Sequence, residues 1–258
     1  MTAFPILMVH GGFSGGWSFD AFAAPFGDAG HKVIAPDLPG HAPDAPREAT
    51  LGLSMTDYAE AVVRHAAALA APPILIGHSM GGLVSLLAAA KTPVAGVILL
   101  APSAPWGVGG SSMEEAVSAV SLYALGAYWA QAIEPDYPSF RRYGVDRLEQ
   151  AEQRAIFERM RPESGRALFE TLNWWLDPFM TTMVRPEAIA APILAIAGGR
   201  DAIHPPPTVR ETARRVGAQL QVMPQMSHWL IGEPGWRDVA DLCVGWIADV
   251  SATAAAAQ

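Results

Sequence analysis

Short, near-continuous apolar runs recur along this 258-residue chain with helical stretches between them, and that alternation leaves few architectures open. The runs are Phe4–Val9, Lys32–Pro36, Pro73–Ile76, Val94–Leu100 and Pro192–Ala197, followed by a more polar one at Gln219–Met223. A strand that is apolar at nearly every position is covered on both faces, the condition of a parallel sheet sandwiched between helices. Helical patterns fill the gaps at Ser54–Ala71, Gly81–Ala90, Pro207–Val216 and Trp236–Val250, and the Ala-rich tail Ser251–Gln258 is expected to fray. With 51% hydrophobic residues the chain is not disordered. Its length allows one large core, burying about 70–75% of the unfolded surface. A net charge of −8 argues against a general electrostatic grip on nucleic acid or anionic lipid. No uncharged apolar run reaches the roughly 18–20 residues of a membrane span. Met1-Thr2-Ala3 leads straight into a strand without a basic leader, so a cytoplasmic location is expected. The single cysteine, Cys243, excludes an internal disulfide and a cysteine-based metal cluster; in an apolar helical pattern it is expected to be a buried hydrophobe.

The alternation breaks once, between about Ser103 and Pro186, where no strand is evident and three helical segments follow one another. The first begins at Ser111/Ser112 with Glu115 at capping-box spacing, the second near Asp146 with Glu149, and the third spans Glu163–Leu176 before Asp177-Pro178. The expected organisation is a core of residues 1–102 and 187–258 with a helical cap, 103–186, inserted between two strands. Trp106, Trp129, Trp174 and Trp175 lie in this insertion, half of the chain's eight tryptophans, together with Met113, Met160, Met180 and Met183. These side chains suit the packing of extra helices equally well as the underside of a lid. The lid is the expectation, because loops beyond the carboxyl ends of parallel strands are where such sheets bind ligands.

Chemistry concentrates where the strand at Pro73–Ile76 runs into Gly77-His78-Ser79-Met80-Gly81 and then an apolar helix. A strand turning abruptly into a helix forces its central residue into strained φ/ψ, and the residues two places away must be tiny to avoid collision. Such a turn lifts the Ser79 hydroxyl above the sheet and aims a helix N-terminus at it. The bland alternative is a Gly-rich turn with an idle serine. A hydroxyl becomes nucleophilic only beside a base. Among seven histidines, His228 has the right place, in the loop after the strand-like Gln219–Met223 and before the terminal helix. His65 lies mid-helix among alanines, and His31 and His41 sit in ordinary loop positions. His78 flanks the serine, steadying the turn and bordering a pocket; His204 is the rival base. Gly198-Gly199-Arg200-Asp201 ends a strand in a tight turn and delivers Asp201 to orient the imidazole. Asp37, too early in the chain, is expected to cap the turn Leu38-Pro39-Gly40-His41. Gly11 and Gly12 follow the first strand and allow backbone N–H groups to approach a ligand, so an oxyanion would rest on the amide of Met80 and that of Gly12, with Phe13 as the alternative. The expected pocket wall comprises Phe13, Trp17, His78, Trp106, Trp129, Trp174 and Trp229.

These motifs (His10-Gly11-Gly12, Pro36-Asp37-Leu38-Pro39-Gly40-His41, Gly77-His78-Ser79-Met80-Gly81, Gly198-Gly199-Arg200-Asp201 and Ser227-His228) resemble the α/β-hydrolase superfamily from Phe4 to about Val250. The spacing from His10 to Trp17 is similar to the plant methylesterase and hydroxynitrile-lyase branch. The insertion, however, is longer and more helical than that branch's cap. The only lysines, Lys32 and Lys91, lie far in sequence from His228, whereas lyase members place a lysine in the site. The resemblance implies an α/β fold with a mostly parallel sheet and a serine hydrolase of small to medium apolar carboxylic esters. Ser79, Asp201 and His228 would form its triad, with no metal or organic cofactor. Serine at position 79 argues against dehalogenase and epoxide-hydrolase chemistry, which use a carboxylate nucleophile. A carbon–carbon bond hydrolase, for which Arg141, Arg142 or Arg185 would have to hold a carboxylate, and a cofactor-free perhydrolase share the same triad. A ligand-binding receptor with a vestigial triad is the non-enzymatic alternative. The expected partner is a small-molecule ester, with the oligomeric state left open.

Overall fold

The computed structural model of the chain describes residues 3–112, 120 and 122–256. Its strands are β1 (Pro5–Val9), β2 (Lys32–Ile34), β3 (Ile74–His78), β4 (Gly96–Leu100), β5 (Ala132–Ile133), β6 (Glu163–Ser164), β7 (Ile193–Gly198) and β8 (Gln219–Met223). Six of them form one sheet in the order β2-β1-β3-β4-β7-β8, and every neighbouring pair is parallel. The main helices are α1 (Ala24–Asp28), α2 (Met55–Ala67), α3 (Met80–Ala89), α4 (Gln150–Arg159), α5 (Gly165–Leu172), α6 (Pro206–Val216) and α7 (Trp236–Ala256).

Strand periodicity divides the core in two. Leu7, Val9, Leu75, Val97, Leu99, Ala195 and Ala197 point to one face and pack with α2, α3 and α6. Ile6, Met8, Ile74, Ile76, Ile98, Leu100, Leu194 and Ile196 point to the other, against Phe19, Phe22, Phe26 and the α7 residues Val239, Cys243 and Ile247. Cys243 is buried there, and burial pushes its thiol pKa up. Among the described residues no helix is long and apolar enough to cross a membrane.

Helix ends follow local chemistry. α2 starts after Ser54, whose hydroxyl accepts from the Thr56 and Asp57 amides while the Asp57 carboxylate accepts from the Ser54 amide at 2.7 Å. It stops at Ala67, short of the expected Ala71, because Pro72 and Pro73 disfavour helical geometry just before them. The tail is helical over residues 251–256, and 257–258 lie outside the described residues. α7 continues to Ala256, as an alanine-rich stretch permits, and the buried Ser251 hydroxyl donates to the Ile247 carbonyl at 3.0 Å.

Residues 103–186 join β4 to β7, and the described ones add no strand to the large sheet. They do contain strand: β5 and β6 pair antiparallel, Ile133 opposite Glu163, in two-residue pieces too short to leave a periodic signal. Glu163 and Ser164 are therefore strand, not helix. The third helix begins at Gly165, with the Ser164 hydroxyl accepting from the Ala167 amide at 3.3 Å. Beyond Asn173 the chain makes a separate 3-10 turn, Trp174–Leu176. The second helix starts at Gln150, and the bond across its N-terminus runs from the Glu149 amide to the Glu152 carboxylate at 3.2 Å, displacing the expected Asp146–Glu149 box. Met113 and Glu115 of the first expected helix lie outside the described residues.

β1 has β2 on one side and β3 on the other, so successive connections depart in opposite directions. The switch lies between β1 and β3, at whose carboxyl ends an open parallel sheet presents a crevice, and the loops after β7 and β8 reach it across the end of β4.

Candidate active site

Ser79 joins β3 to α3 at φ 54°, ψ −124°, strained for an L-residue. The turn explains its own glycines. A Cβ on Gly77 would lie 2.3 Å from the Gly81 carbonyl oxygen, and one on Gly81 would lie 2.2 Å from that of Val9. The strained peptide is tied down on both sides. Its amide donates to the Leu100 carbonyl at 2.9 Å, and its carbonyl accepts from the Gly82 and Ser103 amides at 2.9 and 3.0 Å.

Ser79, Asp201 and His228 meet although 122 and 149 residues separate the serine from its two partners in the chain. His228 Nε2 lies 3.1 Å from Ser79 Oγ, and His228 Nδ1 lies 2.9 Å from Asp201 Oδ2. The other carboxylate oxygen, Asp201 Oδ1, accepts from the Ile203 and His204 amides at 2.8 and 2.9 Å. Burial opposes ionisation of Asp201, but the His228 imidazole and its bond, with His204 adding to them, outweigh burial and hold the carboxyl below its usual range. In a neutral imidazole this arrangement puts the proton on Nδ1 and leaves the Nε2 lone pair facing the serine hydroxyl.

Two further histidines enclose that ring. The His78 ring lies tilted against it at 5.0 Å and donates from Nε2 to the His228 carbonyl at 2.9 Å. His204 lies 5.3 Å from the ring centre, and its Nε2 bonds the Ser103 hydroxyl at 3.0 Å. Burial, then the proximity of His228, lowers both, to about 3 for His78 and about 4 for His204. His204 thus engages Ser103 while His228 engages Ser79, which separates the two candidates for the base. Sequence reasoning passed over Ser103; its position just after a strand's carboxyl end was the available signal.

On the opposite side, the Gly12 and Met80 amides meet no protein acceptor among the described residues, whereas the Phe13 amide donates to Glu163 Oε2 at 3.1 Å. Phe13 itself sits at φ 62°. His10, at the start of this loop, is neutral and fully engaged: burial lowers its pKa to about 3, Nδ1 donates to the Gly11 carbonyl and Nε2 accepts from the Leu38 amide. Asp37 does not cap its own turn. Its carboxylate accepts from the Gly16 amide at 2.8 Å, where a Cβ would collide with the Ala35 carbonyl at 1.9 Å. His41, ordinary in sequence, is buried with both ring nitrogens on acceptors, the Pro39 carbonyl and Glu163 Oε2 at 3.1 Å each. Burial lowers its pKa, but the Glu163 charge and bond outweigh that and leave it raised. Glu163 had no local sequence signal; Pro162 and Ser164 beside it read only as a helix start.

The cluster opens into a cavity of about 340 Å³. Of the expected wall residues, Phe13, Trp17, His78 and Trp229 line it. Trp106, Trp129 and Trp174 do not. Trp106 packs edge-on against Trp174 at 5.2 Å, and Trp129 is 43% exposed and rests on Tyr128 and Phe169. These rings bind the inserted segment to itself. The inner wall comes instead from Leu122, Ile133, Phe140, Ile156, Met160 and Leu172. No lysine or arginine is among the lining residues described, and Glu134 and Asp136 supply the carboxylates. No group of side chains among the described residues is arranged to hold a metal ion.

A parallel sheet with a serine, an imidazole and a carboxylate gathered at its carboxyl edge has the form of an α/β-hydrolase. The chain belongs to the alpha/beta hydrolase family, whose sequence model matches residues 6–242. It is 30% identical over 231 residues to a pimeloyl-[acyl-carrier protein] methyl ester esterase of Neisseria meningitidis, covering 86% of this chain and 85% of that protein. Its fold superposes on a methylesterase from Arabidopsis with a TM-score of 0.71 at 17% identity, over 97% of this chain and 100% of the other. A thermophilic esterase from Thermogutta terrifontis gives 0.66 at 25% identity, over 96% and 91%.

Proposed function

We propose that this protein is a serine hydrolase of carboxylic esters with a small to medium, uncharged, apolar acid or alcohol portion. The observation that carries the reading is the 3.1 Å approach of His228 Nε2 to Ser79 Oγ at the floor of a largely apolar cavity. The esterase names of the relatives support it. In the proposed reaction Ser79 Oγ attacks the ester carbonyl while His228 Nε2 takes the hydroxyl proton. Asp201 keeps the other ring proton on Nδ1 and balances the imidazolium. The tetrahedral oxyanion rests on the Gly12 and Met80 amides, the latter at the N-terminus of α3. His228 then returns its proton to the leaving alcohol. Water, deprotonated by the same nitrogen, releases the acid and frees the serine. Residues 103–186 serve in this reading as a cap over a core of 1–102 and 187–258, supplying the apolar wall that selects substrate.

A carbon–carbon bond hydrolase acting on a carboxylate-bearing substrate fits less well, because the lining carries carboxylates and no described cation. The test is turnover of p-nitrophenyl acetate and butyrate with fluorophosphonate labelling. Wild type turns over and is labelled at Ser79, and Ser79→Ala does neither. Hydrolysis at equal rates by both proteins would reject the reading in favour of a ligand-binding protein.

A further inference from the structure

Glu163 is the most completely engaged carboxylate described in the molecule, and nothing in the proposed reaction uses it. It comes from the inserted segment, yet it is fully buried beneath the loop that follows β1. Oε1 accepts from the Tyr58 hydroxyl at 2.5 Å and the Ser164 amide at 2.7 Å. Oε2 accepts from His41 Nε2 and from the Phe13 amide, both at 3.1 Å. Four donors from four parts of the chain thus saturate one anion, and the imidazole of His41 supplies its counter-charge.

One of those donors matters for chemistry. Phe13 occupies left-handed backbone at φ 62°, a conformation that persists only where the surroundings impose it. Its own turn is closed by the Ser14 amide on the Gly11 carbonyl at 3.4 Å, and residues 161–163 hold it from outside. The Arg161 amide donates to the Phe13 carbonyl at 2.9 Å, and the Glu163 carboxylate holds the Phe13 amide. Directly before this clamped residue stands Gly12, whose amide has no protein acceptor among the described residues, and before that Gly11, where a Cβ would lie 3.0 Å from Ser79 Cβ. A rotation at Phe13 would swing the adjacent Gly12 peptide beside the serine.

We propose that Glu163 is a positioning residue: by gripping the Phe13 peptide it aims the Gly12 N–H at the oxyanion, so the inserted segment completes the anion site of the core. This rests on the esterase reading of Ser79. An oxyanion donor acts on the transition state and not on bound ester, so loss of aim lowers kcat and spares KM. Removing one such donor outright costs about 10²–10³-fold in kcat; misdirecting it costs less, about 10- to 100-fold.

The experiment compares wild type with Glu163→Ala, Glu163→Gln and Tyr58→Phe on p-nitrophenyl butyrate, and measures affinity for an aryl trifluoromethyl ketone, whose carbonyl becomes an alkoxide when Ser79 adds to it. Glu163→Ala is expected to lower kcat about 10- to 100-fold with KM within twofold, and to weaken the ketone by the same factor. Glu163→Gln keeps a carbonyl oxygen for the Phe13 amide when its NH2 takes the place of Oε1, where the Tyr58 oxygen can accept it but the Ser164 amide at 2.7 Å opposes it, so its kcat is expected to fall between those of wild type and Glu163→Ala. Should Glu163→Ala not fold, Tyr58→Phe deletes the 2.5 Å bond with the ring's packing kept, and is expected to lower kcat about three- to tenfold with KM unchanged. A folded Glu163→Ala with kcat and ketone affinity within twofold of wild type overturns the positioning role, as does an unaltered kcat in Tyr58→Phe. Wild type without turnover rejects the esterase reading itself, and the positioning role with it.

Discussion

Replacing Asp201 with Asn tests the proton arrangement at its most constrained point. Asp201 Oδ1 accepts two backbone N–H groups, from Ile203 and His204 at 2.8 and 2.9 Å. Those donors force the asparagine to put its carbonyl oxygen there, and so its NH2 in the place of Oδ2, facing His228 Nδ1 at 2.9 Å. The imidazole can accept that N–H only by moving its own proton to Nε2, where it meets Ser79 Oγ at 3.1 Å as a donor instead of a base. Restoring the reactive tautomer sets two donors against each other in a buried site, which costs about 1–3 kcal/mol. The imidazolium formed during attack also loses a charge-assisted bond of about 1.5–3 kcal/mol. Together these reach about 3–6 kcal/mol, or roughly 10²- to 10⁴-fold in kcat. The upper end matches the loss of about 10⁴ that this change causes in a serine-protease triad. The assay is steady-state turnover of p-nitrophenyl butyrate, with the His228 ring nitrogens followed by 15N NMR to read the tautomer. Asp201→Asn that keeps the wild-type circular dichroism and retains more than a tenth of kcat would refute this account of the carboxylate.

Two further substitutions probe the surroundings. Glu233 is buried beside the His228 loop; its Oε1 accepts from the Ser227 amide at 2.7 Å, and burial raises its pKa to about 7. A carboxyl raised in the fold binds more protons there than in the unfolded chain, so wild type loses stability as pH climbs from about 4.3 towards 7. Glu233→Gln should therefore melt progressively higher than wild type over that window, the gap levelling off above pH 7; a pH-independent gap in thermal unfolding would contradict the assignment. Gly77→Ala would put a methyl group 2.3 Å from the Gly81 carbonyl oxygen and 2.5 Å from Ser85 Oγ. Overpacking of this kind costs about 1–3 kcal/mol, and each kcal/mol lowers Tm by about 2–4 °C in a chain near this size. Turnover should fall with it because the Ser79 turn must shift, and a variant with unaltered Tm and kcat would show that the turn tolerates a side chain.

Much of the fold was legible in the sequence for one reason: strands buried on both faces must be apolar throughout. β1, β3, β4 and β7, buried at nearly every position, differ from their apolar runs by one or two residues at an end. The residues gathered at the site were legible because their geometry leaves a local mark. A Cβ on Gly77 would meet the Gly81 carbonyl inside the turn and one on Gly81 would meet the Val9 carbonyl of the neighbouring strand, while Asp201 and His228 lie three and five residues beyond the ends of β7 and β8. The insertion was legible only as a break in alternation. Its tryptophans looked like a pocket lining because an apolar ring has the same signature whether it faces a ligand or another helix. Trp106 and Trp174 turned out to face each other.

By itself, then, the order of residues determined the parallel α/β class and the serine turn, since the first is written in apolar runs alternating with helical patterns and the second in glycines two places either side of a serine between strand and helix. Only the tertiary structure decided that His228 rather than His204 meets Ser79, that the cavity is walled by Ile133, Ile156 and Leu172, and that Glu163 reaches Phe13. A hydrogen bond between residues 150 positions apart has no local propensity to announce it. It exists because two surfaces are brought together by the burial of everything around them, and a lone glutamate reads the same in sequence whether it ends in water or between four donors.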